Sequence, residues 1–235
     1  GHLTTESTLT LNEAAEVLHY GQEVFEGLKA YRTKDGQVNL FRPDQNAKRM
    51  VNSAKRMMME PYPEDKFVEA VKQVVLANEE FVPPYGTGGS LYIRPFLIGT
   101  QPIVRAAGAG TGQAKTSGNY ASSLLPEIEA KKAGFADCLY LDPREHKYID
   151  EFSGANFFGI TKDGQFVTPK SDSILPSITK KSLLVLADDL GLNPVERKIE
   201  IDKELDDFAE AGAMGTAAVI SPVFCYHRIW YILCV

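Results

Sequence analysis

From Gly108 to Tyr120 the chain reads Gly-Ala-Gly-Thr-Gly-Gln-Ala-Lys-Thr-Ser-Gly-Asn-Tyr, a run of small residues that leads through Lys115 into a helical pattern. Side chains this small let a bulky planar group approach the backbone closely. A lysine set among them is suited to imine chemistry, provided that partial burial or a nearby cation helps its amine lose its proton. A flexible loop with a solvated lysine is the other reading of the same residues. A phosphate-binding P-loop is excluded by spacing, because Gln113 and Ala114 separate Gly112 from Lys115 where that motif needs Gly and Lys adjacent. The dinucleotide fingerprint fails as well, since the glycines run G-x-G-x-G and follow no clear strand.

Around this stretch the periodicity changes from helical to strand-like. Ala47, Met50, Val51, Ala54, Met57 and Met58 fall on one helical stripe, and Phe67, Val68, Val71, Val74 and Val75 write a second helix. Lys34-Asp35-Gly36 between two short apolar runs predicts a hairpin. Leu91 to Ile98 reads as one buried strand, with Pro95 at an edge or a bulge and Arg94 either reaching solvent or meeting a carboxylate. Beyond Lys115, the apolar positions from Tyr120 to Ile128 predict one helix kinked at Pro126. Asp137 to Leu141, Lys147 to Ile149, Ala155 to Ile160 and Gln165 to Thr168 then read as strands. Ser177 is a candidate N-cap for a helix running to Gly191. Its first turn carries Lys180 and Lys181 against the helix dipole, a conflict that a bound anion or plain solvation would ease.

With 235 residues, 44% of them hydrophobic, the chain can bury one large core or two modest ones. A net charge of -6 argues against a partner held through a nucleic-acid backbone. Cys138, Cys225 and Cys234 have neither metal-ligand nor redox spacing, which leaves no metal ligands to nominate and fits a reducing compartment. No apolar run approaches a membrane span, and the first residues lack signal-peptide regions, so a soluble, cytoplasmic protein is expected.

Three separated blocks carry a resemblance: Tyr20-Gly-Gln-Glu-Val-Phe-Glu-Gly-Leu-Lys-Ala-Tyr31, Gly112-Gln-Ala-Lys-Thr-Ser-Gly-Asn-Tyr120 and Glu151-Phe-Ser-Gly-Ala-Asn156. In this order the chain resembles the branched-chain amino acid aminotransferases of the fold type IV pyridoxal phosphate class, from Leu9 to Val223. The resemblance implies a mixed α+β fold in two domains. A smaller N-terminal α/β domain would span 1–100, a linker 101–110, and a larger strand-rich cofactor-binding domain 111–235. The linker is shorter than is usual in the family, and the tail 224–235 does not resemble the family's ending.

The same resemblance implies pyridoxal 5'-phosphate as cofactor, joined to Lys115. Arg49, Ile178, Thr179 and Thr216 would hold its phosphate, Glu151 its ring nitrogen and Tyr120 its phenolic oxygen. Tyr20, Phe25, Gly27 and Tyr92 would shape an apolar substrate wall, with Arg94 for glutamate's distal carboxylate and the Ala217 amide for the substrate carboxylate. Expected substrates are L-leucine, L-isoleucine or L-valine with 2-oxoglutarate, and the expected assembly is a homodimer. A D-amino acid aminotransferase or an aminodeoxychorismate lyase of the same fold, a nucleotide-binding phosphotransferase and a catalytically silent binding protein are the alternatives.

Overall fold

The computed structural model describes residues 1–99, 111–121, 123–227 and 232–234, with backbone alone at 225–227 and 232–234. Two compact units divide the chain, Gly1–Ser117 and Gly118–Val235.

The first unit opens with α1 (Glu16–Tyr20), which Gly21 ends in the left-handed conformation at φ 61°. β1 (Glu23–Phe25), β2 (Leu28–Arg32) and β3 (Val38–Leu40) follow. The Asp35-Gly36 turn joins β2 to β3, with Gly36 at φ 86° and the strands paired antiparallel. α2 (Pro43–Arg56) starts on proline at its first helical position, where the missing N–H has no intrahelical acceptor to lose. Its stripe is buried at Ala47, Met50 and Ala54 but ends before Met58, which is exposed. α3 (Glu64–Ala77) buries Phe67, Val71 and Val75 against α2 and the inward residues Val24, Leu28, Ala30 and Ile93.

The expected single strand from Leu91 to Ile98 is two strands in two sheets. β4 (Leu91–Ile93) completes the order β3-β2-β4, whereas β5 (Phe96–Ile98) pairs with β1. Pro95 has no N–H for a ladder and restricts the residue before it, so the chain changes sheet at Arg94-Pro95. The freed Pro95 carbonyl accepts the Glu26 amide at 2.7 Å.

The second unit contains α4 (Ser117–Ala121, shared across the boundary), α5 (Leu124–Lys132), β6 (Asp137–Leu141), β7 (Ile149–Phe152), β8 (Asn156–Thr161), β9 (Phe166–Pro169) and α6 (Ile178–Asp189). β10 (Val195–Arg197), α7 (Ile201–Glu204), β11 (Phe208–Gly215), β12 (Val219–Pro222), β13 (Cys225–His227) and β14 (Ile232–Cys234) complete it. The expected kink at Pro126 is instead a new helix: Pro126 lies in the first turn of α5, where it breaks no intrahelical bond. Leu124, Leu125 and Ile128 of that stripe are exposed.

One sheet runs β10-β9-β8-β7-β6-β14-β13, and β11 adds to β8 and to β12. β11 follows β8 from Asn156 to Thr161, so β7 and β9 share the other edge of β8, at Asn156 and at Gly159-Ile160. Phe152, Phe157, Ile149, Val167 and Ile199 form the centre of its core. The linker 101–110 lies outside the described residues, as does part of the tail 224–235.

Candidate active site

Lys115 is fixed from both sides through its main chain. Its carbonyl accepts the Phe25 amide at 3.1 Å, extending the edge of β1, and its own amide donates to Ser53 Oγ on α2 at 3.0 Å. Thr116, 2% exposed, donates its hydroxyl to the Glu23 carbonyl at 2.7 Å. These three bonds explain why the lysine segment groups with the first compact unit, where the resemblance implied a second domain from 111 onward. They also replace the flexible-loop reading with a held one.

The Lys115 amine stands 4.8 Å from the centre of the Phe25 ring, and the Arg94 guanidinium 4.7 Å from the same ring. Arg94 also covers the Tyr92 ring at 5.3 Å and donates to the Tyr92 hydroxyl at 2.8 Å. Sequence reasoning offered solvent or a carboxylate for Arg94. The structure gives it two aromatic partners and an exposed head, an arrangement that leaves a cation able to meet a ligand anion. Gly27 makes room for this cluster: a Cβ there would lie 2.2 Å from the Tyr92 hydroxyl. Phe25, Gly27, Tyr92, Arg94 and Lys115 are therefore one group. Tyr20 stands apart on α1, 76% exposed, with His19 as its ring neighbour at 6.2 Å.

Arg49 meets an anion that sequence reasoning did not single out. Its Nε and Nη2 donate to the two oxygens of Glu26 at 2.7 and 2.6 Å, and Asn46 Nδ2 donates to the same carboxylate at 2.7 Å. Glu26 is wholly buried, so this bidentate pair satisfies a charge that would be costly alone. An acidic residue between Phe25 and Gly27 gives no sequence signal of burial. The only available hint was an arginine off the apolar stripe of α2.

In the second unit, Glu151 lies on β7 opposite Asn156. Asn156 Nδ2 donates to Glu151 Oε2 at 3.0 Å and to the Leu175 carbonyl at 3.3 Å, while the Leu175 amide reaches the Glu151 oxygens at 3.3 and 3.4 Å. The carboxylate is thereby oriented. Two residues on, Ser177 caps α6, its hydroxyl accepting the Lys180 amide at 3.1 Å. The amides of Ile178 and Thr179 precede the first intrahelical acceptor, as at any helix start. Lys180, which opposed the dipole on paper, is paired with Glu196 at 2.7 Å. Thr216 and Ala217 form the turn between β11 and β12, beside Ala155, whose Cβ a Cβ on Gly215 would meet at 3.7 Å. Tyr120 lies half-buried on α4, its carbonyl accepting the Ser123 hydroxyl at 2.9 Å.

The amides at the α6 start and the Thr216 hydroxyl are donors of the kind that suit a phosphate, and the oriented Glu151 carboxylate is of the kind that suits a ring N–H. Among the described residues no cluster of side chains has the make-up of a metal site, and no helix is long and apolar enough to cross a membrane.

The sequence pattern of the amino-transferase class IV family matches residues 23–224, and the chain belongs to that family. Within it, the chain is 49% identical to the branched-chain-amino-acid aminotransferase of Haemophilus influenzae, over 95% of this chain and 77% of that one. The Helicobacter pylori protein of the same name is 45% identical over the same shares. Among solved structures, the T.th. branched-chain amino acid aminotransferase complexed with N-(5'-phosphopyridoxyl)-L-glutamate superposes with a TM-score of 0.80. It is 30% identical over 94% of this chain and 82% of that one.

Proposed function

We propose that this protein is a branched-chain amino acid aminotransferase that reversibly moves the amino group of L-leucine, L-isoleucine or L-valine to 2-oxoglutarate with pyridoxal 5'-phosphate. The observation that carries the reading is the way Lys115 is held, with its main chain tied to β1 and α2 and its amine on the aromatic ring that Arg94 also covers. When bound, the cofactor supplies the electron sink that lets an amino acid's α-carbon release its proton.

Lys115 Nζ would bond the cofactor at rest and, once displaced by substrate, take the α-proton and return it. The Ile178 and Thr179 amides, with the Thr179 and Thr216 hydroxyls, would hold the phosphate. Arg49, paired with Glu26 through Nε and Nη2, would share in holding that phosphate. Glu151 would keep the ring nitrogen protonated, and Tyr120 would donate to the phenolic oxygen. Phe25 and Tyr92 would line the side-chain pocket with Gly27 leaving space, while the expected contribution of Tyr20 finds no support in its exposed place on α1. Arg94 would take glutamate's distal carboxylate and the Ala217 amide the α-carboxylate. The relatives' names support the branched-chain assignment over the D-amino acid, lyase and phosphotransferase alternatives. A substrate panel tests it. L-leucine, L-isoleucine and L-valine should turn over with ping-pong kinetics, and efficient use of D-alanine without activity on L-leucine would overturn the assignment.

A further inference from the structure

Asp150, immediately before Glu151, is a buried carboxylate at 6% exposure that the proposed chemistry does not use. One oxygen, Oδ2, accepts the Ser173 hydroxyl at 2.5 Å. The other, Oδ1, has no hydrogen-bond partner among the described residues. A charge buried so sparsely is unfavourable, and burial pushes its carboxyl above the usual range despite the Ser173 and Ser171 hydroxyls. An apolar residue would pack there at lower cost, so the contact it makes is the thing to explain.

That contact falls on the strap Lys170–Ser177, which joins β9 to the start of α6. Ser173 is held to Asp150, its amide and hydroxyl are tied to Ser171 Oγ at 3.2 and 2.7 Å, and Ile174 next to it is buried. Two residues further, Leu175 is held by Glu151. Adjacent carboxylates of one strand thus grip alternate residues of one strap, and the strap ends on the serine that caps α6. A charge-assisted bond gives the Ser173 anchor more hold than a neutral one would.

We propose that Asp150 is a positioning residue: through Ser173 it fixes the strap, and so sets the α6 N-terminus and the Glu151 carboxylate on one frame. The consequence for cofactor retention rests on the functional reading given above. The consequence for the strap does not.

The test is hydrogen exchange on the full chain, with and without pyridoxal 5'-phosphate, for Ser173→Ala, Asp150→Asn and the parent protein. Ser173→Ala removes one hydroxyl and keeps the buried core. In it, amides of 173–181 should exchange about tenfold faster, the worth of one charge-assisted bond, while other core segments keep their protection. Asp150→Asn keeps the acceptor and loses the charge, and should fall between the two. Bound cofactor should leave Ser173→Ala about tenfold more readily, with an altered circular dichroism band, which a general loss of stability would not produce. Unchanged exchange in 173–181, or equal loosening of the whole unit, would overturn the proposal. Local loosening with unaltered cofactor retention would leave the anchor standing and remove the cofactor phosphate from α6.

Discussion

Arg94 shows how one residue can be read in part from sequence. A charged side chain inside the apolar run Leu91 to Ile98 marks it as unusual, but its partners depend on Phe25, far earlier in the chain, and on the turn that Pro95 imposes. Its guanidinium keeps company with rings and a hydroxyl, so its charge remains available to an anion. Arg94→Leu should therefore raise the KM for 2-oxoglutarate about 10- to 100-fold, the worth of a charge-assisted contact, and leave the KM for leucine within about twofold. Equal losses for both substrates would remove Arg94 from dicarboxylate recognition. The small residues around Lys115 are legible because they are local in sequence, and the role proposed for the lysine rests on the resemblance. Glu26 was not, because its burial comes from α2 packing over β1 and bringing Arg49 and Asn46 onto it.

At the scale of elements, the helices and hairpins were the more legible part. Stripes such as Met50 and Ala54, or Phe67 and Val71, are short-range patterns that the core simply accepts. The errors fell where proline decides a boundary: Pro95 splits a strand between two sheets, and Pro126 begins a helix rather than bending one. The turn between β6 and β7 illustrates a local device whose strength appears only in three dimensions. Asp142 accepts the amides of Arg144, Glu145, Lys147 and Tyr148 at 2.7 to 3.2 Å. Burial acts to raise its carboxyl, but these four donors outweigh it and hold it well below the usual carboxylate range. A depressed folded value means that the ionised form stabilises the turn above the unfolded value of 3.8, and that this support is lost as pH falls through the folded one. Asp142→Asn should accordingly lower the unfolding midpoint at pH 7, by a margin that shrinks as the pH falls below about 4. A margin independent of pH would show that the charge contributes nothing.

For the whole molecule, two domains were expected from chain length and from the family resemblance, and the boundary between the compact units of the structure lies after Ser117. It follows the hydrogen bonds of Lys115 and Thr116 to the first unit, which no composition shift announces. The match to the Haemophilus influenzae relative covers 265 residues, more than the 235 of this chain, so that relative carries residues without a counterpart here. The homodimer expected from the family resemblance is tested at this scale. Light scattering on the eluting protein should give twice the mass of one chain, and a monomer at assay concentration would contradict it.

The central claim is that the amine of Lys115 carries the cofactor. Borohydride reduction of the protein loaded with pyridoxal 5'-phosphate, followed by peptide mapping, tests it most directly. A phosphopyridoxyl group fixed to the peptide containing Lys115, with loss of the cofactor's visible absorbance, is the expected result. A group fixed to another lysine, or none fixed at all, would contradict the account.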